Sequence, residues 1–207
     1  MNIDLKPPRQ TIVLNDSSAG VRMTPAEFDA IEEGQFNEDY RFELVEGVLV
    51  VNPIEREGHS DPNDHLGFLL REYQLRHPEG KALDVTLPER HIFLARSRRK
   101  ADRVLWIGLG RRPNPRRDVP AVVVEFVSPG RRSWMRDYIE KRDEYLALGV
   151  KEYWIIDPFR RDLTVYTQGP DGPVETVIQE TETYTTPLLP GFQLPLAPLL
   201  AASDYWE

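Results

Sequence analysis

The run Ala121-Val122-Val123-Val124-Glu125-Phe126-Val127 constrains this chain more than any other stretch. A strand with one face in water alternates apolar and polar residues. This run does not alternate, so it reads as a central strand of an α/β sheet, buried on both faces. Its single acid, Glu125, then lies at the strand's carboxyl end or inside the sheet, where a carboxylate needs a cation. An arginine would meet that need, and so would a metal ion.

A second short apolar run, Arg103-Val104-Leu105-Trp106-Ile107, is headed by Asp102. Acids at the edges of two neighbouring strands hold a hard divalent ion through oxygen and leave positions for water and phosphate. Downstream, Ser133 to Leu148 has helical spacing and Gly149 ends it as a left-handed cap. A helical wheel places Trp134, Tyr138, Lys141, Tyr145 and Leu148 on one face, with Arg136, Glu140, Asp143 and Glu144 opposite. A lysine among aromatics either extends its ammonium to water or meets carboxylates. Asp102 and Glu125 supply the carboxylates, and acid, acid, lysine is a more specific order than either acid alone.

The rest of the chain supports an α/β domain. Thr24-Pro25-Ala26-Glu27 is a capping box that starts a short helix to about Glu33. Arg41 to Val51 reads as two strands joined at Glu46-Gly47, and Leu66, Leu69, Leu70 and Tyr73 mark a long helix ended by His77-Pro78-Glu79-Gly80. Ala82 to Leu87 and His91 to Ala95 are strand-like, as are Glu152 to Pro158, Thr164 to Thr167 and Val174 to Ile178. Residues 110–117 form a basic loop broken by prolines and glycine, and the tail beyond Pro187 is rich in proline. Residues 1–20 read as a flexible arm and 21–207 as one domain.

Composition narrows the chemistry. With no cysteine, disulfides, thiolate catalysis and Cys-ligated zinc are excluded, so a metal must sit on oxygen or imidazole. The net charge of -8 opposes general polyanion binding, yet Arg90 to Arg117 is a locally basic stretch. Within it Arg98, Arg99, Arg111 and Arg112 are the expected phosphate contacts. With neither a signal-peptide pattern nor an apolar run of membrane-spanning length, a cytoplasmic location is expected.

Arg41-Phe42-Glu43-Leu44-Val45-Glu46-Gly47, Val122 to Pro129 and above all Glu125 to Pro158 resemble the Uma-type restriction endonucleases of the PD-(D/E)XK nuclease superfamily. The likeness runs from about Thr24 to Gly191. It implies a restriction-endonuclease-like mixed β-sheet flanked by α-helices, with antiparallel additions, and Mg²⁺-dependent cleavage of DNA, Mn²⁺ serving as a substitute. Asp102 matches the aspartate of the PD element, preceded here by Ala101 rather than proline, and Glu125 matches the second acid. Lys141 matches a lysine moved to the following helix, since Val127 stands at the usual lysine position. Glu43 is a further candidate at the metal, against a salt bridge within its hairpin. His59 resembles a histidine often found between hairpin and helix, although for it and His65 an ordinary surface role is at least as well supported. A homodimer is expected where each site cuts one strand. The rival reading is a catalytically inactive nucleic-acid-binding or regulatory protein of the same fold.

Overall fold

The computed structural model describes residues 13–54, 57–129 and 131–206, the side chains of 57–60, 132–133 and 205–206 excepted. The chain divides into two compact units, one comprising residues up to Ile54 with Ala95–Ser97, the other Glu55–Leu94 with Arg98 onward.

The first unit holds α1 (Pro25–Asp29) and the hairpin β1 (Tyr40–Val45) and β2 (Val48–Pro53). The capping box forms as the sequence predicts: the Glu27 amide donates to Thr24 Oγ1 at 3.2 Å and the Thr24 amide to Glu27 Oε2 at 2.6 Å. Val45 pairs with Val48, so the turn is two residues, and Glu46 (φ 48°) and Gly47 (φ 77°) both take the left-handed conformation that such a turn requires. Phe28, Phe42, Leu44 and Leu49 form this unit's core. Residues 13–20, assigned from sequence to a loose arm, are fastened here. The Leu14 amide donates to the Gln35 carbonyl at 2.7 Å and the Gly20 amide to the Leu49 carbonyl at 2.8 Å.

The second unit is a sheet between helices. After α2 (Glu57–Arg76) come β3 (Leu83–Phe93), β4 (Arg98–Ile107) and β5 (Val122–Phe126). A continuous helical segment follows, α3 (Arg131–Met135), a π-helix (Arg136–Lys141) and α4 (Arg142–Leu148), then β6 (Glu152–Asp157), β7 (Asp162–Gly169) and β8 (Gly172–Gln179). Strand order is β3-β4-β5-β6-β7-β8, and only β5 and β6 run parallel. The parallel pair is joined through the helical segment, because parallel neighbours need a long crossover.

Two cores account for the unbroken apolar character of β5. Val122, Val124 and Phe126 pack with Trp154 and Ile156 against Leu66 and Leu70 of α2. Val123 packs with Val104, Tyr153 and Ile155 against Tyr138, Tyr145 and Leu146 of the helical segment. The tail also joins the first of these cores: β9 (Thr183–Tyr184) pairs with β10 (Leu194–Pro195), and Leu196, Leu199 and Leu200 of α5 (Leu196–Ala201) are buried there.

Three elements differ from the sequence reading. β3 is one strand rather than two. Pro88 is tolerated because among the described strands β3 pairs only with β4, and an edge strand spares one N–H. The long helix begins at Glu57, ahead of its first apolar marker, with Pro62 in its second turn. Arg98 and Arg99 lie on β4, outside the proline-rich loop, because that strand starts before Asp102.

Where α2 crosses the sheet, Arg103 fills the space over Gly67. Its guanidinium donates to Asn63 Oδ1 and to the Asn63 carbonyl, both at 2.7 Å, and to Thr86 Oγ1 at 3.3 Å. Burial pushes this arginine's pKa down to about 10, the charge of Asp64 opposing the shift. A Cβ on Gly67 would lie 2.6 Å from Arg103 Nη2. Because the guanidinium is pinned, it cannot yield freely. Gly67→Ala is therefore expected to destabilise the protein by about 1–3 kcal/mol, read as a lower urea midpoint with an unchanged slope.

Candidate active site

The register of β4 and β5 pairs Arg103 with Val124 and Val104 with Val123. Continued one step, it sets Asp102 opposite Glu125. Directly opposed residues on antiparallel strands share a face and bring their Cβ atoms within about 4.5–5.5 Å. The face is the one covered by the helical segment, since Asp102 alternates with Val104 and Glu125 with Val123. Asp102 is 5% exposed and Glu125 2%. Asp102 Oδ2 accepts the Phe126 amide at 2.7 Å, and its backbone carbonyl accepts Asn63 Nδ2 at 3.0 Å. The Arg103–Asn63 contact thus also fixes the strand behind Asp102.

Lys141 meets Glu125 directly. Its Nζ lies 2.9 Å from Glu125 Oε2, and both side chains are 2% exposed. The other oxygen, Oε1, accepts the Tyr145 hydroxyl at 3.1 Å. Sequence placed Lys141 and Tyr145 on one helical face, and here they share one carboxylate.

Asp137 was not anticipated. It is fully buried, 3.4 Å from Lys141 Nζ, and both its oxygens are held by Arg136, at 2.9 and 3.2 Å. Its carbonyl accepts the Tyr153 hydroxyl at 3.0 Å. Burial, then the charges of Glu125 and Asp137, raise the Tyr153 pKa well above its ordinary value, so this hydroxyl stays a donor. The helical wheel assumed regular α geometry, whereas residues 136–141 form a π-helix. Asp137 and Lys141, four residues apart, share one face, and Asp137 meets the ammonium that Glu125 also holds. The spacing Asp-x-x-x-Lys was the signal available in the sequence.

Asp102, Glu125 and Asp137 against Lys141 and Arg136 sum to one negative charge. Among the described residues no three of His, Asp or Glu converge into a group able to hold a metal by themselves. Two opposed carboxylates are instead the open set magnesium takes when its other positions go to water and phosphate. By this donor chemistry Asp102 and Glu125 fit the ion.

Glu43 is buried in β1 of the first unit. His59 falls in the first turn of α2, and its side chain lies outside the described residues. Arg99 is 2% exposed and bonded by two nitrogens to Glu144, at 2.7 and 2.9 Å, with Glu140 at 3.3 Å. It ties β4 to the helical segment, and a phosphate would have to break that pair to reach it. Arg111 is gripped by Asp118 at 2.6 and 2.7 Å, bonds that with the Asn114 amide lower the Asp118 pKa to about 2. Arg98 lies 4.9 Å over the Phe93 ring, and Arg112 is exposed.

A mixed sheet between helices, with acids on adjacent strands and a buried lysine from the crossover helix, has the architecture of a nuclease-like α/β protein. The fold matches a solved structure from Anabaena variabilis, titled a putative nuclease belonging to DUF820, with a TM-score of 0.67 and 18% identity over 87% of this chain and 99% of that one. At that identity the likeness speaks to fold. Residues 25–197 match the Uma2 family, described as "putative restriction endonuclease", and the chain belongs to that family, as its motifs implied. No curated protein matches the chain.

Removing one partner of a buried ion pair costs about 3–5 kcal/mol, because the other charge is left without compensation. Lys141→Met should therefore lower stability by about that amount, and adding Glu125→Leu should restore most of it. Urea denaturation of the two variants checks this. Equal stability of the double and single variants would place the cost elsewhere.

Proposed function

We propose that the protein is a metal-dependent DNA endonuclease that hydrolyses phosphodiester bonds. The observation that carries the reading is Lys141 Nζ at 2.9 Å from Glu125, on the sheet face that Asp102 shares. Asp102 and Glu125 would hold Mg²⁺, with Mn²⁺ as a substitute. When bound, such an ion supplies Lewis-acid stabilisation of phosphate charge and lowers the pKa of attached water.

The chain's own groups do the rest. Two hydrogen bonds hold Asp102 in orientation before any ligand arrives: its carboxylate accepts from the Phe126 amide and its carbonyl accepts from Asn63 Nδ2. Lys141 offers an ammonium near the reacting phosphate, where it orients the attacking water and balances negative charge that builds in the transition state. Asp137 and Tyr145 keep that ammonium and the Glu125 carboxylate from rotating away. Arg98 and Arg112 would serve as phosphate contacts that fix the strand without reading its sequence. Glu43 and His59 stay as candidates at the metal on sequence grounds, as does a homodimer in which each copy cuts one strand.

One observation favours the alternative of an inactive nucleic-acid-binding protein. Both Glu125 oxygens already have partners within the chain, as a purely structural ion pair would. A plasmid-nicking assay decides between the two. Wild type should nick with Mg²⁺ or Mn²⁺ and stop with chelator, while Asp102→Ala, Glu125→Ala and Lys141→Ala should each lose roughly a hundredfold or more. Circular dichroism confirms folding. Metal-stimulated nicking at wild-type rate in all three variants would refute the site, and wild type that binds DNA without nicking would establish the binder.

A further inference from the structure

Seven residues ahead of Lys141 on the same continuous helical segment, Trp134 presents an indole that is 38% exposed. It lies nearly parallel to Tyr138, with centroids 5.2 Å apart and planes at 20°. Tyr138 is only 3% exposed, and its hydroxyl donates to Asp157 Oδ2 at 3.2 Å. The Arg160 guanidinium lies 5.7 Å from the same ring. One face of the indole is thus backed by a ring that cannot move, while part of the indole stays open to solvent.

We propose that Trp134 is a stacking platform for an unpaired nucleobase next to the scissile phosphate. This rests on the nuclease reading and adds a preference for single-stranded, flipped or mismatched DNA. Seven residues of helix span about 10 Å, so a base on Trp134 sits within a nucleotide or two of a phosphate at Lys141. Arg131, on the helical segment, is exposed and suits a flanking phosphate; Arg160, between β6 and β7, is exposed too and would share with a phosphate the guanidinium that now pairs with Asp162 at 3.3 Å. The acids beneath, Asp157 and Asp162, are buried and present little charge to a passing strand.

The dimensions favour a base over a protein partner. A stable protein interface buries on the order of 1,000 Å² or more, whereas the exposed large apolar side chains in these segments are Trp134, Met135 and Phe159, with the exposed Arg131 and Arg160 close to them in sequence. An exposed indole with basic residues close by in the chain matches a base and its phosphates. Because the indole is already ordered against Tyr138, stacking requires little further loss of side-chain freedom, and aromatic stacking does not discriminate strongly among bases.

The test uses the full chain in chelator, so that cleavage is silent, at low salt. Wild type, Trp134→Ala and Trp134→Phe are titrated by fluorescence anisotropy with labelled oligo(dT), with an abasic oligonucleotide of equal length and with a fully paired duplex. The platform predicts that Trp134→Ala weakens oligo(dT) binding about tenfold, that Trp134→Phe loses less than about threefold, and that affinity for the abasic strand and duplex is unchanged. Equal oligo(dT) affinity of wild type and Trp134→Ala would overturn it. So would an equal loss on the abasic strand, which would mean a phosphate or folding effect. Wild type that binds none of the three would instead defeat the nucleic-acid reading on which the platform rests.

Discussion

A charge placed in the middle of a sheet has to be answered from somewhere, and here the answer to Glu125 comes from the helix that crosses from β5 to β6. The carboxylate and the Lys141 ammonium are both withdrawn from water and 2.9 Å apart. Such a pair adds little net stability relative to apolar residues, yet neither half is tolerable alone. The helical segment must therefore lie where it does, with Tyr145, Asp137 and Arg136 completing the pattern. Packing of Tyr138, Tyr145 and Leu146 against Val123, Tyr153 and Ile155 then follows on the same face.

The opposite face handles a buried charge differently. Arg103 is bonded mainly to neutral oxygens of Asn63 and Thr86, and the resulting loss of solvation is what lowers its pKa. Asn63 in turn bonds the backbone of Asp102. Consecutive residues of β4 thus do opposite work: one side chain faces the candidate site, and the next locks the strand to α2 through the absence of a side chain at Gly67.

Much of this was written in the order of residues. An apolar run interrupted by one acid could only be a central strand, and the aromatic helix face pointed Lys141 inward. Asp102 and Glu125 stood out as lone acids at the edges of two strand-like runs, and the register of β4 and β5, continued one step, sets them opposite each other. What the sequence hid was of two kinds. Asp137 was passed over although its spacing of four residues from Lys141 puts the two on one helical face; what the sequence could not show is the π-helix there, which depends on how the whole helix settles on the sheet. The second is which arginines have acidic partners, because composition counts charges without revealing pairings: Arg99 faces Glu144 and Arg111 faces Asp118.

The π-helix between Arg136 and Lys141 bonds each residue one position further along than an α-helix does, so it accommodates an additional residue in the same rise. A chain shorter by one residue there could run through as ordinary α-helix, with better backbone geometry. A deletion between Asp137 and Lys141 would shorten their spacing from four residues to three and re-aim the ammonium that Asp137 and Glu125 now share. The irregularity takes up its extra residue locally, so that the aromatic side chains on either side keep their packing against the sheet while the buried ion pair sits within the widened turn.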